Sequence, residues 1–340
     1  MKKTIIIAEA GVNHNGSIDI AIELVRAAAQ AGADYVKFQT FTSEKIVSPL
    51  APKAKYQLTD DLDNNRTQMS MLKKLELSKK DHERIYQACE ELGIRFLSTA
   101  FDEEAIYYLN NLNIDFFKIP SGEITNYPYL RTIAKQGKPV VLSTGMADMD
   151  EVQNALSILE EFGCHKNNIT ILHCNTEYPT PFEDVNLKAM VAIKDFFDIN
   201  VGYSDHTLGI EVPIAAVTLG ASLIEKHFTL DRNLPGPDHK ASLTPEELSQ
   251  MIKSIRHIEL ALSGNGRKEP SNSEYKNRTV ARRSIHLTNN CEAGHILKEQ
   301  DLIPLRPGDG ISPLYWNEVI GKKILRNLPA FHKLSWEELV

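Results

Sequence analysis

Between Thr4 and about Thr229 the chain repeats one pattern eight times, a short apolar run followed by a longer amphipathic stretch. Such alternation predicts parallel strands joined by crossover helices, because a parallel strand is covered on both faces and its return path needs a long connection. The runs are Ile5–Ala8, Tyr35–Phe38, Arg95–Ser98, Phe116–Ile119, Val140–Ser143, Thr170–His173, Ile199–Tyr203 and Leu223–His227. Helix starts are signalled by Ser17 and Asp19 ahead of Leu24, by Ser78 and Asp81 ahead of Ile85, and by Asp150 ahead of Val152. Gly32, Gly93, Gly137, Gly163 and Gly220 stand where those helices should stop. Eight such units in about 230 residues predict a closed (β/α)8 barrel, an α/β fold for which ~250 residues is usual. The competing arrangement is an open doubly wound sheet. Against it, no run leads into a G-x-G-x-x-G turn or a P-loop.

At 340 residues the chain is longer than one barrel needs. The reading divides it into a barrel over residues 1–262, a linker over 263–279 rich in Ser, Gly, Asn and Pro, and a small β-rich domain over 280–340. One connection, Thr40 to Ser78, is unusually long and holds Pro49, Pro52, Asp60, Asp61, Asp63, Asn64 and Asn65, the marks of an active-site loop or lid. A formal charge of −7 excludes a general binder of nucleic acid or of an anionic membrane, which needs a basic surface. Cys89, Cys164, Cys174 and Cys291 are scattered and read as reduced thiols. The apolar run Ile5 to Ile7 meets Glu9 too soon to be a signal peptide or membrane span, which points to the cytoplasm.

In a barrel of this kind the site lies where the strands end. The first run ends in Glu9, the second in Lys37 and Gln39, the third in Ser98 and Thr99, and the fourth in Lys118, Ser121 and Glu123. Ser143 ends the fifth, and Asn175, Thr176 and Tyr178 follow the sixth; Ser204, Asp205 and His206 end the seventh, and Glu225, Lys226 and His227 the eighth. Alternation puts Lys37 and Gln39 on one face and turns Val36 and Phe38 to the other. Two strand lysines, Lys37 and Lys118, with the hydroxyls of Thr99, Ser121, Ser143 and Ser204, would suit a phosphate and a carboxylate. Salt bridges between barrel layers, or a Schiff base, are the other uses of such lysines. His206 and His227 could converge on one divalent ion in an open site, acting as a Lewis acid on a carbonyl, or could be hydrogen-bonded core residues. Glu9 is the carboxylate beside them, as a metal ligand or a proton-transfer group. Glu123, Tyr178 and Asp238 could bond sugar hydroxyls, with Tyr178 as core and Asp238 as a turn residue the plainer alternatives. His173 reads as structural.

The ordered segments Ala8–Gly16 (AEAGVNHNG), Val36–Gln39 (VKFQ), Lys118–Glu123 (KIPSGE), Leu142–Met146 (LSTGM), His173–Pro181 (HCNTEYPTP), Ser204–Thr207 (SDHT) and Glu225–Thr229 (EKHFT) together resemble the N-acetylneuraminate (sialic acid) synthase family. The likeness covers nearly the whole chain, and the tail, with Gly321 and the turn at Arg306-Pro307-Gly308, resembles the family's antifreeze-like (SAF) domain. The resemblance implies an enzyme condensing phosphoenolpyruvate with N-acetylmannosamine and water to give sialic acid and phosphate. It implies a divalent ion on His206 and His227, manganese first, with magnesium or cobalt as substitutes. It places phosphoenolpyruvate against Lys37, Thr99, Lys118, Ser121, Ser143 and Ser204, and the sugar against Gln39, Glu123, Tyr178 and Asp238. It also implies a homodimer whose exchanged small domain brings Arg306 to the partner's sugar. At Thr176 some members carry asparagine, and Asn175 is the stand-in. A legionaminic acid synthase taking 2,4-diacetamido-2,4,6-trideoxymannose is the nearest alternative. A Schiff-base aldolase on Lys118 and a non-catalytic carbohydrate-binding protein are the alternatives from other classes.

Overall fold

The computed structural model describes residues 3–52 and 67–340. Asp60, Asp61, Asp63, Asn64 and Asn65 of the long connection lie outside the described residues. The chain forms two compact units, Met1–Ser263 and Gly264–Val340.

In the first unit eight parallel strands stand in the order β3-β2-β1-β8-β7-β6-β5-β4. They are β1 (Ile5–Gly11), β2 (Tyr35–Thr40), β3 (Arg95–Ala100), β4 (Phe117–Ile119), β5 (Val140–Ser143), β6 (Ile169–Cys174), β7 (Asn200–Asp205) and β8 (Leu223–His227). The two ends of that order, β3 and β4, pack against each other, so the sheet is a near-closed barrel as the eight-fold pattern predicts. The first and last strands are neighbours, with Glu9 in register with Lys37 on one side and His227 on the other.

Helices α1 (Ile18–Ala31), α2 (Ser43–Ile46), α3 (Gln68–Lys73), α4 (Lys79–Leu92), α5 (Glu103–Asn111), α6 (Tyr127–Ala134), α7 (Met149–Glu161), α8 (Leu187–Phe197), α9 (Glu211–Thr218) and α10 (Pro245–Ala261) follow the strands. Ser17 caps α1 and Ser78 caps α4, both as expected, and Gly32 and Gly93 close them in the left-handed conformation. The cap of α7 is Asp148, two residues before the expected Asp150, because Glu151 reaches back to complete a capping box there. None of the described helices is long and apolar enough to cross a membrane, and all four cysteines are buried and free.

Strand alternation sorts the barrel into layers. Ile6, Ala8, Val36, Phe38, Ile119 and Leu142 face the helices in the main core. Ile7, Tyr35, Leu97, Phe116, Val141, Leu172 and Leu223 face inward and fill the lower barrel with an apolar plug. Each inward position two residues further along its strand stands one layer higher, where the polar residues collect.

The second unit has its own core, including Ile285, Leu297, Leu302 and Val319, around an antiparallel pair, β9 (Ser284–Leu287) and β10 (Leu302–Leu305). Within the stretch that reads as linker, residues 272–279 belong to a helix, α11 (Asn272–Ala281), started by a capping box of Ser271 and Glu274. It buries no residue, which is why no apolar periodicity announces it.

Candidate active site

The layer above the apolar plug is a ring of charge. Glu9, Lys37, Thr99, Lys118, Ser143, Cys174, Ser204 and Glu225 each lie two residues beyond a plug residue or in register with its neighbours, and all are buried. Lys37 Nζ lies 2.9 Å from the Glu9 carboxylate and 3.5 Å from that of Glu225, and it donates to Thr99 Oγ1 at 3.0 Å. Lys118 Nζ lies 3.5 Å from Glu225, which also accepts a hydrogen bond from Ser204 Oγ at 2.9 Å. Salt bridges between strands, one of the alternatives for these lysines, are therefore present. They lie within the same ring that would take an anion.

Burial and neighbours divide the two carboxylates. Burial raises Glu9 to about 7, with Lys37 pulling against it. Burial also works upward on Glu225, but Lys118 and Lys37 overcome it and hold that carboxyl at about 2. Burial lowers Lys118, whereas Glu225 and Glu9 outweigh burial at Lys37 and raise it. One carboxyl thus stays ionised while the other can exchange a proton near neutrality.

At the next inward positions, two residues beyond Ser204 of β7 and Glu225 of β8, stand the histidines. The rings of His206 and His227 are 5.4 Å apart, and the ring of Tyr178 lies 4.0 Å from that of His206 with its hydroxyl 3.0 Å from Nε2. His206 Nδ1 bonds the backbone carbonyl of Asn175, and a carbonyl only accepts, so this nitrogen carries the proton. Burial lowers His206 to about 4 and His227 well below its ordinary value, so both are neutral imidazoles. His227 Nδ1 is buried without a hydrogen-bond partner, with the Asp238 carboxylate 3.8 Å away. Burial lifts Asp238 to about 6. Two neutral imidazoles, one with an unpartnered buried nitrogen and one whose Nε2 meets only the Tyr178 hydroxyl among the described residues, fit a divalent ion completed by water or substrate. Among the described residues no group of three His, Cys, Asp or Glu side chains forms a closed cage.

Two glycines let site side chains approach the backbone closely. Gly11, at a register shift in β1 with φ +52°, would place a Cβ 3.4 Å from Glu9 Oε1, 3.4 Å from His227 Cε1 and 3.5 Å from Gln39 Nε2. Glu9, Gln39 and His227 therefore border one point. Gly145 would place a Cβ 2.6 Å from Thr176 Cγ2, 2.9 Å from Ser121 Oγ and 3.0 Å from Cys174 Sγ. Its amide donates to Ser121 Oγ at 2.9 Å, and Cys174 Sγ lies 3.1 Å from the same hydroxyl.

Other expected residues are placed less directly. Glu123 ends a short 3-10 turn (Ser121–Glu123) and takes a hydrogen bond from Asn126 at 2.5 Å. The Asn175 side chain is engaged in its own loop, accepting from the Glu177 amide at 2.8 Å, and its link to the site is through its carbonyl. Arg306 is an exposed residue of the second unit, before a cis bond to Pro307. His173 is structural, its Nε2 2.9 Å from the Val185 carbonyl. Lys226 turns away from the site into a fully buried pair with Asp205. Sequence reasoning passed over Glu225 and Cys174 as site residues. The signal for Glu225 was present, since it stands two residues before His227 and so shares its face.

The NeuB family profile matches residues 24–268, and the SAF domain matches residues 282–340. The chain is 50% identical over 327 residues to the N,N'-diacetyllegionaminic acid synthase of Campylobacter jejuni, covering 96% of this chain and 97% of that one. It is 47% identical over 336 residues to the enzyme of the same name from Legionella pneumophila, covering 98% and 94%. Among solved structures, an N-acetylneuraminic acid synthetase from Leptospira borgpetersenii in complex with citrate superposes with a TM-score of 0.70 at 33% identity, over 81% of this chain and 90% of that one.

Proposed function

Because the chain belongs to the NeuB family and ends in a SAF domain, we propose that it condenses phosphoenolpyruvate with 2,4-diacetamido-2,4,6-trideoxymannose to give a legionaminic acid and phosphate. The observation that carries the reaction is the buried ring in which Lys37 and Lys118 stand among strand-end hydroxyls below two neutral histidines. Two legionaminic acid synthases at 50% and 47% identity support this sugar over N-acetylmannosamine, the first expectation from the motifs.

In this reading Lys37 and Lys118 bind the phosphate and carboxylate of phosphoenolpyruvate, with Thr99, Ser121 and Ser143 as hydroxyl donors and Ser204, which donates to Glu225, lining the same layer. Ser143 Oγ, buried without a partner, is a donor ready for such an anion. Gln39, Glu123, Tyr178 and Asp238 orient the open-chain sugar. A divalent ion held by His206 and His227, manganese first, would supply Lewis acidity at the sugar aldehyde. C3 of phosphoenolpyruvate bonds to C1 of the sugar, water adds at C2, and phosphate departs with cleavage of its C–O bond. Glu9, poised near neutrality, takes the proton of that water. The same reading makes the chain a homodimer in which Arg306 serves the partner's sugar site, which sedimentation would test.

Phosphate release from phosphoenolpyruvate, measured with manganese and either sugar, tests the proposal. Release with the diacetamido sugar supports it. Release only with N-acetylmannosamine makes the chain a sialic acid synthase, and release with neither removes the condensation reading. Covalent trapping by borohydride would instead favour a Schiff base on Lys118.

A further inference from the structure

Asp205 and Lys226, register partners on β7 and β8, each stand one residue before a site histidine. Alternation turns them to the helix side of the sheet, away from the ring. Their ion pair, at 2.5 Å, has no solvent exposure on either side chain. The Asp205 carboxylate also accepts from the Thr207 amide at 3.1 Å and from its hydroxyl at 3.0 Å, while Lys226 Nζ donates to the Thr207 carbonyl. The residues on both sides of His206 are thereby bonded to each other and to the strand that carries His227.

A fully buried ion pair is a poor source of stability, since an apolar pair of similar size often does as well. What an apolar pair lacks is the set of directional bonds to Thr207. We propose that Asp205 and Lys226 are positioning residues that clamp the ends of β7 and β8. The clamp holds the two imidazoles at their 5.4 Å separation and keeps His206 as the Nδ1–H tautomer, whose Nε2 can bind a divalent cation. The proposal rests on the reading of His206 and His227 as cation ligands.

Manganese binding to the full chain, by calorimetry and by the electron spin resonance of free Mn2+, is the test, joined by the 15N spectrum of the His206 ring without metal. Asp205→Leu/Lys226→Met is expected to keep a Tm near wild type, to bind Mn2+ about 10- to 100-fold more weakly, and to lose the single Nδ1–H signal of His206. Thr207→Val, a milder change that removes one clamp bond, is expected to weaken Mn2+ binding several-fold and covers the case in which the double variant does not fold. Wild-type affinity and an unchanged tautomer in a folded variant would overturn the clamp. If wild type binds no Mn2+, or His206→Ala binds it as tightly as wild type, the cation reading fails, and the tautomer spectrum alone then decides the clamp.

Discussion

Glu9 and Lys37 face each other from β1 and β2 as register partners, carboxylate and ammonium 2.9 Å apart and both almost wholly buried. Of the two carboxylates in the ring, Glu9 is the one whose proton can move near neutral pH. Glu9→Gln keeps the shape and removes that proton exchange. Loss of a general acid or base costs about 10²- to 10⁴-fold in turnover, so phosphate release by the folded variant should fall into that range. Normal turnover in Glu9→Gln would sink the assignment.

The same carboxyl predicts a pH dependence of stability. Folded, it holds its proton up to about 7, whereas an unfolded glutamate loses it near 4.5. Between those values the folded state binds the extra proton, so Glu9 favours folding at the acid end and this advantage is lost as pH rises toward 7. Urea unfolding of wild type and Glu9→Gln at pH 5 and pH 8 should show wild type losing stability relative to the variant at the higher pH. A constant difference between the two would contradict it.

Glu225 joins three members of the ring, touching Lys37, Lys118 and Ser204. Glu225→Gln leaves two buried ammoniums with Glu9 alone. Breaking a buried pair by removing one partner costs about 3–5 kcal/mol, and denaturant unfolding should register a loss of that order. Glu225→Gln/Lys118→Met removes the surplus charge and should recover much of it. A loss below about 1 kcal/mol in the single variant would mean that water or rearrangement already screens the lysines.

The barrel and much of the site were legible in the sequence because both follow from period-two alternation. That rule put Lys37 and Gln39 inward and Val36 and Phe38 outward; Lys37 is in the ring, Gln39 borders Gly11 beside Glu9 and His227, and Val36 and Phe38 are in the helix-facing core. Carried along the eighth run, it would also have paired Glu225 with His227 and turned Lys226 outward to Asp205. Asp238 obeys no such rule. It lies in a loop after β8, and its approach to His227 depends on the three-dimensional path of that loop. Helix α11 was hidden for a different reason. A helix without a buried face leaves no apolar stripe, and only Ser271 and Glu274 mark its start.

Gly145 offers a steric prediction. A methyl group there would fall within 3.0 Å of Thr176, Ser121 and Cys174, so at least one of them must move. Overpacking of this kind costs about 1–3 kcal/mol, and the hydroxyl of Ser121, held by the Gly145 amide, is one of the proposed anion donors. Gly145→Ala should raise the KM for phosphoenolpyruvate by roughly tenfold, the equivalent of about 1.4 kcal/mol, with a smaller change in kcat. An unaltered KM would place the anion away from Ser121.

The histidines and the lysines occupy successive layers, and this separation predicts that metal and phosphoenolpyruvate can be lost independently. His206 and His227 each lie two residues beyond a ring member, Ser204 and Glu225, while Lys37 and Lys118 are bonded to Glu9, Glu225 and Thr99. Removal of divalent ions with a chelator should therefore abolish phosphate release, and manganese should restore it in wild type but not in His206→Ala. Calorimetric titration of phosphoenolpyruvate into chelated wild type and into His206→Ala should give affinities within a few-fold of each other, because the ammoniums proposed to bind the anion are untouched. Turnover that survives the chelator would refute the metal role. Loss of phosphoenolpyruvate binding in His206→Ala would show instead that the two layers work as one site, with the anion reaching up to the imidazoles.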